Sequence, residues 1–221
     1  MLTVRGLSRH YGAADRRQVI ADLDFNLADG DFVAIMGESG IGKSTLLNLI
    51  AGLDTPDAGS ITIDDTVISS LDDQARTLFR RRHIGFVFQA FHLLPRLTLA
   101  QNVGLPLSLL GMAPDDAAAR IHSMLERLQL ADRADDLPRT LSSGQMQRIA
   151  IGRALIHKPR LVLADEPTGN LDPDNAALVL DLFRQELDES GAAAILVTHS
   201  KAAAASAKRT LTMTMRGLEP A

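Results

Sequence analysis

Three clusters in this chain combine residue types that handle phosphate, metal ions and protons. The first is Gly37-Glu38-Ser39-Gly40-Ile41-Gly42-Lys43-Ser44-Thr45, which fits the G-x-x-x-x-G-K-[ST] pattern of a phosphate-binding loop. Its glycines let backbone N–H groups turn inward around an anion, and a following helix offers its positive end. Lys43 is placed to neutralise the β and γ phosphates of a nucleotide, and Ser44 supplies a hydroxyl to Mg²⁺. The second is Leu161-Val162-Leu163-Ala164-Asp165-Glu166, an apolar run ending in two acids. A carboxylate at a strand end can hold Mg²⁺, usually through water, and its neighbour can take a proton from an attacking water. Asp165 is assigned to the metal and Glu166 to the base. An apolar strand running into an acidic turn is commonplace alone; behind a phosphate loop it gains meaning. The third is Leu141-Ser142-Ser143-Gly144-Gln145. Ser and Gly at a helix start suit an anion site, and they equally suit a plain Ser-capped helix.

These clusters need elements to position them. Phe32-Val33-Ala34-Ile35-Met36 reads as a buried strand that delivers the chain into the glycine loop. Leu46, Leu47, Leu49, Ile50 and Leu53 then sit at helical spacing, with Gly52 and Pro56 punctuating the end. Ile61 to Ile63 and Ile84 to Phe88 are further strands, and Gln89 closes the second. Residues 91–157 turn helical; Ile121, Met124, Leu125 and Leu128 line one face of a helix opened by Pro114-Asp115-Asp116. Leu161 to Ala164 and Ala194-Ile195-Leu196-Val197 are buried parallel-strand runs, the latter leading into Thr198 and His199. Asp172 followed by Pro173 is a helix start, a cap and then a first-turn proline. Residues 1–30 read as short strands and turns, and the alanine-rich residues 201–207 as plain helix. Apolar strands alternating with helices give an α/β fold with a parallel sheet.

Composition narrows the setting. With 221 residues, 46% of them hydrophobic, the chain suffices for one domain or for one core with an inserted lobe. The absence of cysteine excludes disulfides and thiolate metal sites and fits a reducing compartment. A net charge of −4 argues against a nucleic-acid partner, since phosphate backbones demand basic surfaces. No run approaches the ~18 apolar residues of a spanning helix; the most apolar stretch, residues 99–112, is broken by Gln101, Asn102, Pro106 and Ser108. The opening Met-Leu-Thr-Val-Arg lacks the charged-then-apolar layout of a signal peptide. Work at a membrane is therefore expected to need another polypeptide as anchor.

Taken together, these motifs resemble the ABC ATPases. Leu141-Ser142-Ser143-Gly144-Gln145 is similar to that family's LSGGQ signature, and it precedes the acidic strand end as it does there. Asp165-Glu166-Pro167-Thr168-Gly169-Asn170-Leu171-Asp172 resembles the Walker B motif running into the D-loop. The likeness extends over nearly the whole chain, from Leu2 to about Gly217. It implies a P-loop NTPase fold: a RecA-like parallel core with an N-terminal antiparallel β subdomain, spanning residues 1–88 and 158–221. A helical subdomain carrying the signature is expected at residues 89–157. It also implies a head-to-tail homodimer with ATP sandwiched between copies. Ser142, Gly144 and Gln145 of one copy then face the γ-phosphate held by the other. Ser143, where the family has glycine, adds a side chain close to it. Gln89 matches the Q-loop residue that contacts Mg²⁺ and the attacking water, and His199 the switch histidine that reaches the γ-phosphate. Tyr11, the only tyrosine, matches the aromatic that stacks on adenine, and Asp172 the D-loop aspartate that meets the opposite copy. Ser200 stands where the family commonly has aspartate. His10, His83, His92, His122 and His157 are read as solvated or structural.

Gly169-Asn170-Leu171-Asp172, Gly52-Leu53-Asp54-Thr55-Pro56 and Phe91-His92-Leu93-Leu94-Pro95 further resemble the lipoprotein-releasing, macrolide-efflux and cell-division branch. That likeness implies an ATP-hydrolysing subunit that lies peripherally on the cytoplasmic face of the inner membrane and works with an integral membrane permease. Phe91, Leu93, Leu94 and Leu97, rimmed by Arg96, would receive the permease's coupling helix. Export or mechanotransmission is expected. The competing class is a non-transport ABC ATPase: a cell-division regulator, or a soluble enzyme acting on DNA or ribosomes. The soluble enzymes usually carry a coiled-coil insert or a second ATPase domain, and neither is legible here.

Overall fold

Strands buried on both faces must be apolar along their length, and three such runs form the centre of the main sheet. The computed structural model describes residues 1–12 and 17–221. β3 (Phe32–Met36), β7 (Leu161–Asp165) and β8 (Ala193–Val197) lie in the order β3-β8-β7. β6 (Ile84–Val87) extends them on one side, and β9 (Arg209–Thr214) with β10 (Gly217–Pro220) on the other. All neighbours pair parallel except β10, which turns back antiparallel on β9.

A second sheet combines β1 (Leu2–Tyr11) and β2 (Arg17–Leu27) with β4 (Ala58–Ile63) and the short β5 (Thr66–Val67) in the order β2-β1-β4-β5, antiparallel throughout. Alternation along each central strand divides its side chains between two cores. Val33, Ile35, Leu161, Leu163, Ile195 and Val197 pack with α1 (Lys43–Ile50) and the antiparallel sheet. Phe32, Val162, Ala164, Ala194 and Leu196 face the opposite way, toward the helices α3 (Leu99–Leu109), α4 (Pro114–Arg127), α5 (Ser143–Leu155) and α6 (Pro173–Ser190).

The expected α/β fold with an antiparallel N-terminal sheet is therefore present, and the local departures have physical reasons. The short strands expected before residue 30 are two strands of 10 and 11 residues. Register shifts after Val4, Leu7 and Arg9 interrupt their alternation and disguise their length. Leu53 is half exposed instead of continuing the α1 face, because the helix ends at Ile50 and the chain turns at Gly52, φ 64°. The alanine-rich stretch is helical only as α7 (Lys201–Ala204) before the chain enters β9. A further helix, α2 (Asp73–His83), has no fully buried side chain; Phe79 packs partly buried against the core, too little to mark the helix by an apolar stripe. Among the described residues no helix is long and apolar enough to cross a membrane.

Candidate nucleotide site

The glycine loop leaves the end of β3 and feeds α1. Gly42 caps the helix at φ 112°, a left-handed conformation, and a Cβ there would lie 2.9 Å from Val19 Cγ1. Glycine is thus required twice over, by backbone angle and by the closeness of β2. No side chain caps α1, so its first-turn N–H groups remain directed at the loop's concave face with the positive end of the helix dipole. Lys43 is buried (8% exposed), and its ammonium donates to the carbonyls of Gly37 (2.8 Å) and Glu38 (2.9 Å). The cation is therefore held across the loop from which it would meet phosphate.

β7 and β8 bring the acids to the same place. Burial pushes the Asp165 carboxyl above its ordinary range, while a hydrogen bond from the Ser44 hydroxyl works against that shift. Glu166 stands at φ 47°, its N–H bonded to the Val197 carbonyl at 2.9 Å. This tether to β8 turns the carboxylate toward the residues after that strand. Thr198 Oγ1 donates to Glu166 Oε2 at 3.1 Å, and His199 Nδ1 lies 2.8 Å from Oε1. The buried threonine orients the carboxylate, and the imidazole, 72% exposed, is held at its outer oxygen.

A cavity of about 490 Å³ unites these groups: Ser39, Gly40, Gly42, Lys43, Ser44 and Thr45 from the loop, Asp165 at the end of β7 and Glu166 just after it, Gln89 and His199. Gly37, Glu38 and Ile41 complete the loop without lining the cavity. Gln89 follows β6; Asn170 Nδ2 donates to its carbonyl at 3.0 Å, and its side-chain nitrogen rests against Gly169. Ser44, Asp165 and Gln89 present hard oxygen donors to one space, a set that suits magnesium. No self-contained cluster of histidine and carboxylate ligands exists among the described residues, so an ion here would take its remaining ligands from phosphate and water.

The other predicted residues stand apart from this cavity. Ser142 caps α5 in a closed capping box: its hydroxyl accepts from Gln145 N–H (3.3 Å), and its own N–H donates to Gln145 Oε1 (3.0 Å). Ser142 and Ser143 are exposed, whereas Gly144 is buried where a Cβ would meet Asn175 Oδ1 at 2.8 Å. Asp172 caps α6 by accepting from Asn175 N–H (3.1 Å) and Nδ2 (2.6 Å), and these bonds hold its carboxyl below the usual range. Asn175 thus joins the starts of α5 and α6. Tyr11, half exposed at the end of β1, also lies outside the cavity lining, with its phenol bonded to Asp54.

Several residues escaped the sequence reading. Arg17 and Val19 line the cavity from β2, and Arg17 pairs with Tyr11 across the hairpin; only knowledge of that pairing could have placed them. The buried Asn102 shapes the segment after Gln89. Its oxygen accepts from Leu94 N–H (2.7 Å), and its amide donates to the Leu94, Leu97 and Thr98 carbonyls. Arg153 holds the carbonyls of Phe91 and His92 at 2.8 and 2.6 Å.

A parallel sheet whose strand ends gather a glycine loop, its lysine, paired acids and a histidine has the architecture of a P-loop NTPase. A family model described as ABC transporter matches residues 20–169, and the chain belongs to that family. The lipoprotein-releasing system ATP-binding protein LolD of Alcanivorax borkumensis is 43% identical over 206 residues, covering 93% of this chain and 90% of the relative. The macrolide export ATP-binding/permease protein MacB 1 of Aeromonas hydrophila is 44% identical over 95% of this chain, which spans only 32% of that longer protein. Among solved structures, the dimeric post-hydrolysis state of the ATP-binding cassette MJ0796, bound to ADP and Pi, superposes with a TM-score of 0.90 at 36% identity. The match covers 99% of this chain and 97% of that one.

Proposed function

We propose that this chain is the ATP-hydrolysing subunit of an ABC transporter, working as a homodimer that closes over two nucleotides. The observation that carries the reading is the convergence of Lys43, Ser44, Gln89, Asp165, Glu166 and His199 on one cavity at the strand ends. In this account the open N–H groups of α1 and the Lys43 ammonium bind the triphosphate. Ser44, Asp165 and Gln89 are the residues that would hold Mg²⁺, which would offset the charge of the phosphate group. Glu166 accepts a proton as water attacks the γ-phosphorus, a bond to that oxygen forms, and the bond to the bridging oxygen of ADP breaks. Thr198 and His199 keep the Glu166 carboxylate aimed. Tyr11 serves as the platform for the base. Ser142, Ser143, Gly144 and Gln145, which do not line the cavity of their own chain, act on the nucleotide held by the second copy, with Asp172 beside them.

Residues 89–157 act as the helical lobe that moves with Gln89, against a core of residues 1–88 and 158–221. The partly exposed segment around Phe91, Leu93 and Leu94 receives an integral membrane permease, which places the subunit peripherally on the cytoplasmic face of the inner membrane. The likeness to LolD and MacB 1 supports export or mechanotransmission as the task.

Phosphate release tests the enzymatic core. Glu166→Gln is expected to lower turnover by roughly two to four orders of magnitude, while the variant still binds ATP and accumulates as a dimer. Hydrolysis by Glu166→Gln at the normal rate would refute the assignment of the base.

A further inference from the structure

Gly52-Leu53-Asp54-Thr55-Pro56 stands apart from the cavity, yet it is bonded into the same framework. The N–H groups of Leu53 and Asp54 both donate to the Asn48 carbonyl, at 2.9 and 3.3 Å. This fastens the segment to the far end of α1, the helix that begins at the phosphate loop. From that position the Asp54 carboxylate reaches across to β1. Its Oδ1 accepts from Arg9 Nη2 at 2.7 Å, and its Oδ2 accepts from Arg9 Nε at 3.1 Å and from the Tyr11 phenol at 2.5 Å. The Arg9 guanidinium lies 4.7 Å from the centroid of the Tyr11 ring, within cation–π range. Asp57, three residues on, accepts a further bond from Arg9 Nη1 at 3.2 Å and one from the His10 N–H at 2.6 Å.

The physical consequence is a tyrosine whose freedom is removed at two points. Its hydroxyl is fixed by a charge-assisted bond, and a cation that is itself held in a two-pronged carboxylate fork packs against its ring. An aromatic residue near the surface, 40% exposed in this case, ordinarily gives up rotamer entropy when a ligand stacks on it; one already locked does not. We propose that Asp54 and Arg9 are positioning residues that brace Tyr11 as a rigid platform for the nucleobase and fix its placement relative to the phosphate loop through α1. This inference rests on the reading of Tyr11 as the base platform. It gives the Gly52–Pro56 segment a task in nucleotide recognition that phosphate chemistry does not require.

The test is calorimetric titration of the full chain with Mg-ATP and, separately, with inorganic tripolyphosphate, which has phosphates and no base. Tyr11→Ala is expected to weaken ATP and leave tripolyphosphate unchanged. Asp54→Ala is expected to weaken ATP by roughly three- to tenfold, the scale of immobilising one side chain, again with tripolyphosphate unchanged. Asp54→Asn keeps an acceptor for the phenol and should recover part of the loss. Combining Asp54→Ala with Tyr11→Ala should add nothing, because the brace acts only through the ring. A Tyr11→Ala loss with no Asp54→Ala loss would overturn the brace alone. Equal weakening of both ligands by Asp54→Ala would reduce Asp54 to a fold-stabilising contact and overturn it likewise. If Tyr11→Ala leaves ATP affinity intact, the platform reading and the brace fall together.

Discussion

The start of α1 and the start of α5 are both serine- and glycine-bearing helix N-termini, yet the chain treats them in opposite ways. At α1 no side chain caps the helix, a buried lysine lies across the loop, and acids from β7 complete a cavity. At α5 Ser142 and Gln145 satisfy one another, the two serines face solvent, and the segment is absent from that cavity. An open helix end surrounded by charge is suited to bind an anion within its own chain. A capped, exposed end beside Asn175 and Asp172 is finished as structure and offers its outer face to something else. In the proposed function, this contrast has one copy supply the phosphate site and a second copy cover it.

The largest blow to this contrast should come from Lys43→Ala. Removing charge-assisted bonds to phosphate costs about 2–3 kcal/mol or more, hence on the order of a hundredfold in ATP affinity. Undiminished binding by titration would mean that the α1 end is not the anion site, and the two helix starts would lose their distinction.

A smaller effect should follow from Asp165. Because burial raises its folded-state pKa, the folded protein binds this proton more readily than the unfolded chain does. The stability linked to protonation is therefore present at low pH and lost as pH rises through the raised value, so the ionised carboxylate is a cost at neutral pH. Asp165→Asn is expected to hold or raise the thermal midpoint at neutral pH while losing magnesium-dependent ATP binding. In the native chain, the magnesium-dependent part of ATP affinity should begin to fall on acidification at a pH above the ordinary carboxylate range. A fall confined to the ordinary range would show that Asp165 is not the group in competition with the metal.

The elements dictated by local rules were legible in the sequence. The glycine loop needs φ angles that only glycine adopts freely, the buried strands need unbroken apolar runs, and Asp172 before Pro173 marks a helix start; all appear where they were read. Non-local partnerships were not legible. Tyr11 and Asp54 meet across 43 residues, Arg17 reaches the cavity only because of its hairpin pairing, and nothing in the spacing of Thr198 reveals its bond to Glu166. Leu53 shows the limit of periodicity: it continues the spacing of the α1 face, but the helix has already ended. Residue type and spacing identify groups that can do chemistry, whereas their second neighbours are chosen by the fold.

The proposed function requires the α5 start of one copy to complete the α1 site of another, and mixing two defective copies tests that directly. Lys43→Ala keeps its signature segment and lacks its phosphate grip; Ser142→Arg keeps the grip and blocks the signature face. Each alone should release little phosphate. An equimolar mixture should recover roughly a quarter of normal turnover, since half of the dimers are mixed and each has one intact site. A mixture as inactive as its components, with mixed dimers confirmed by cross-linking, would contradict completion of the site by a second copy.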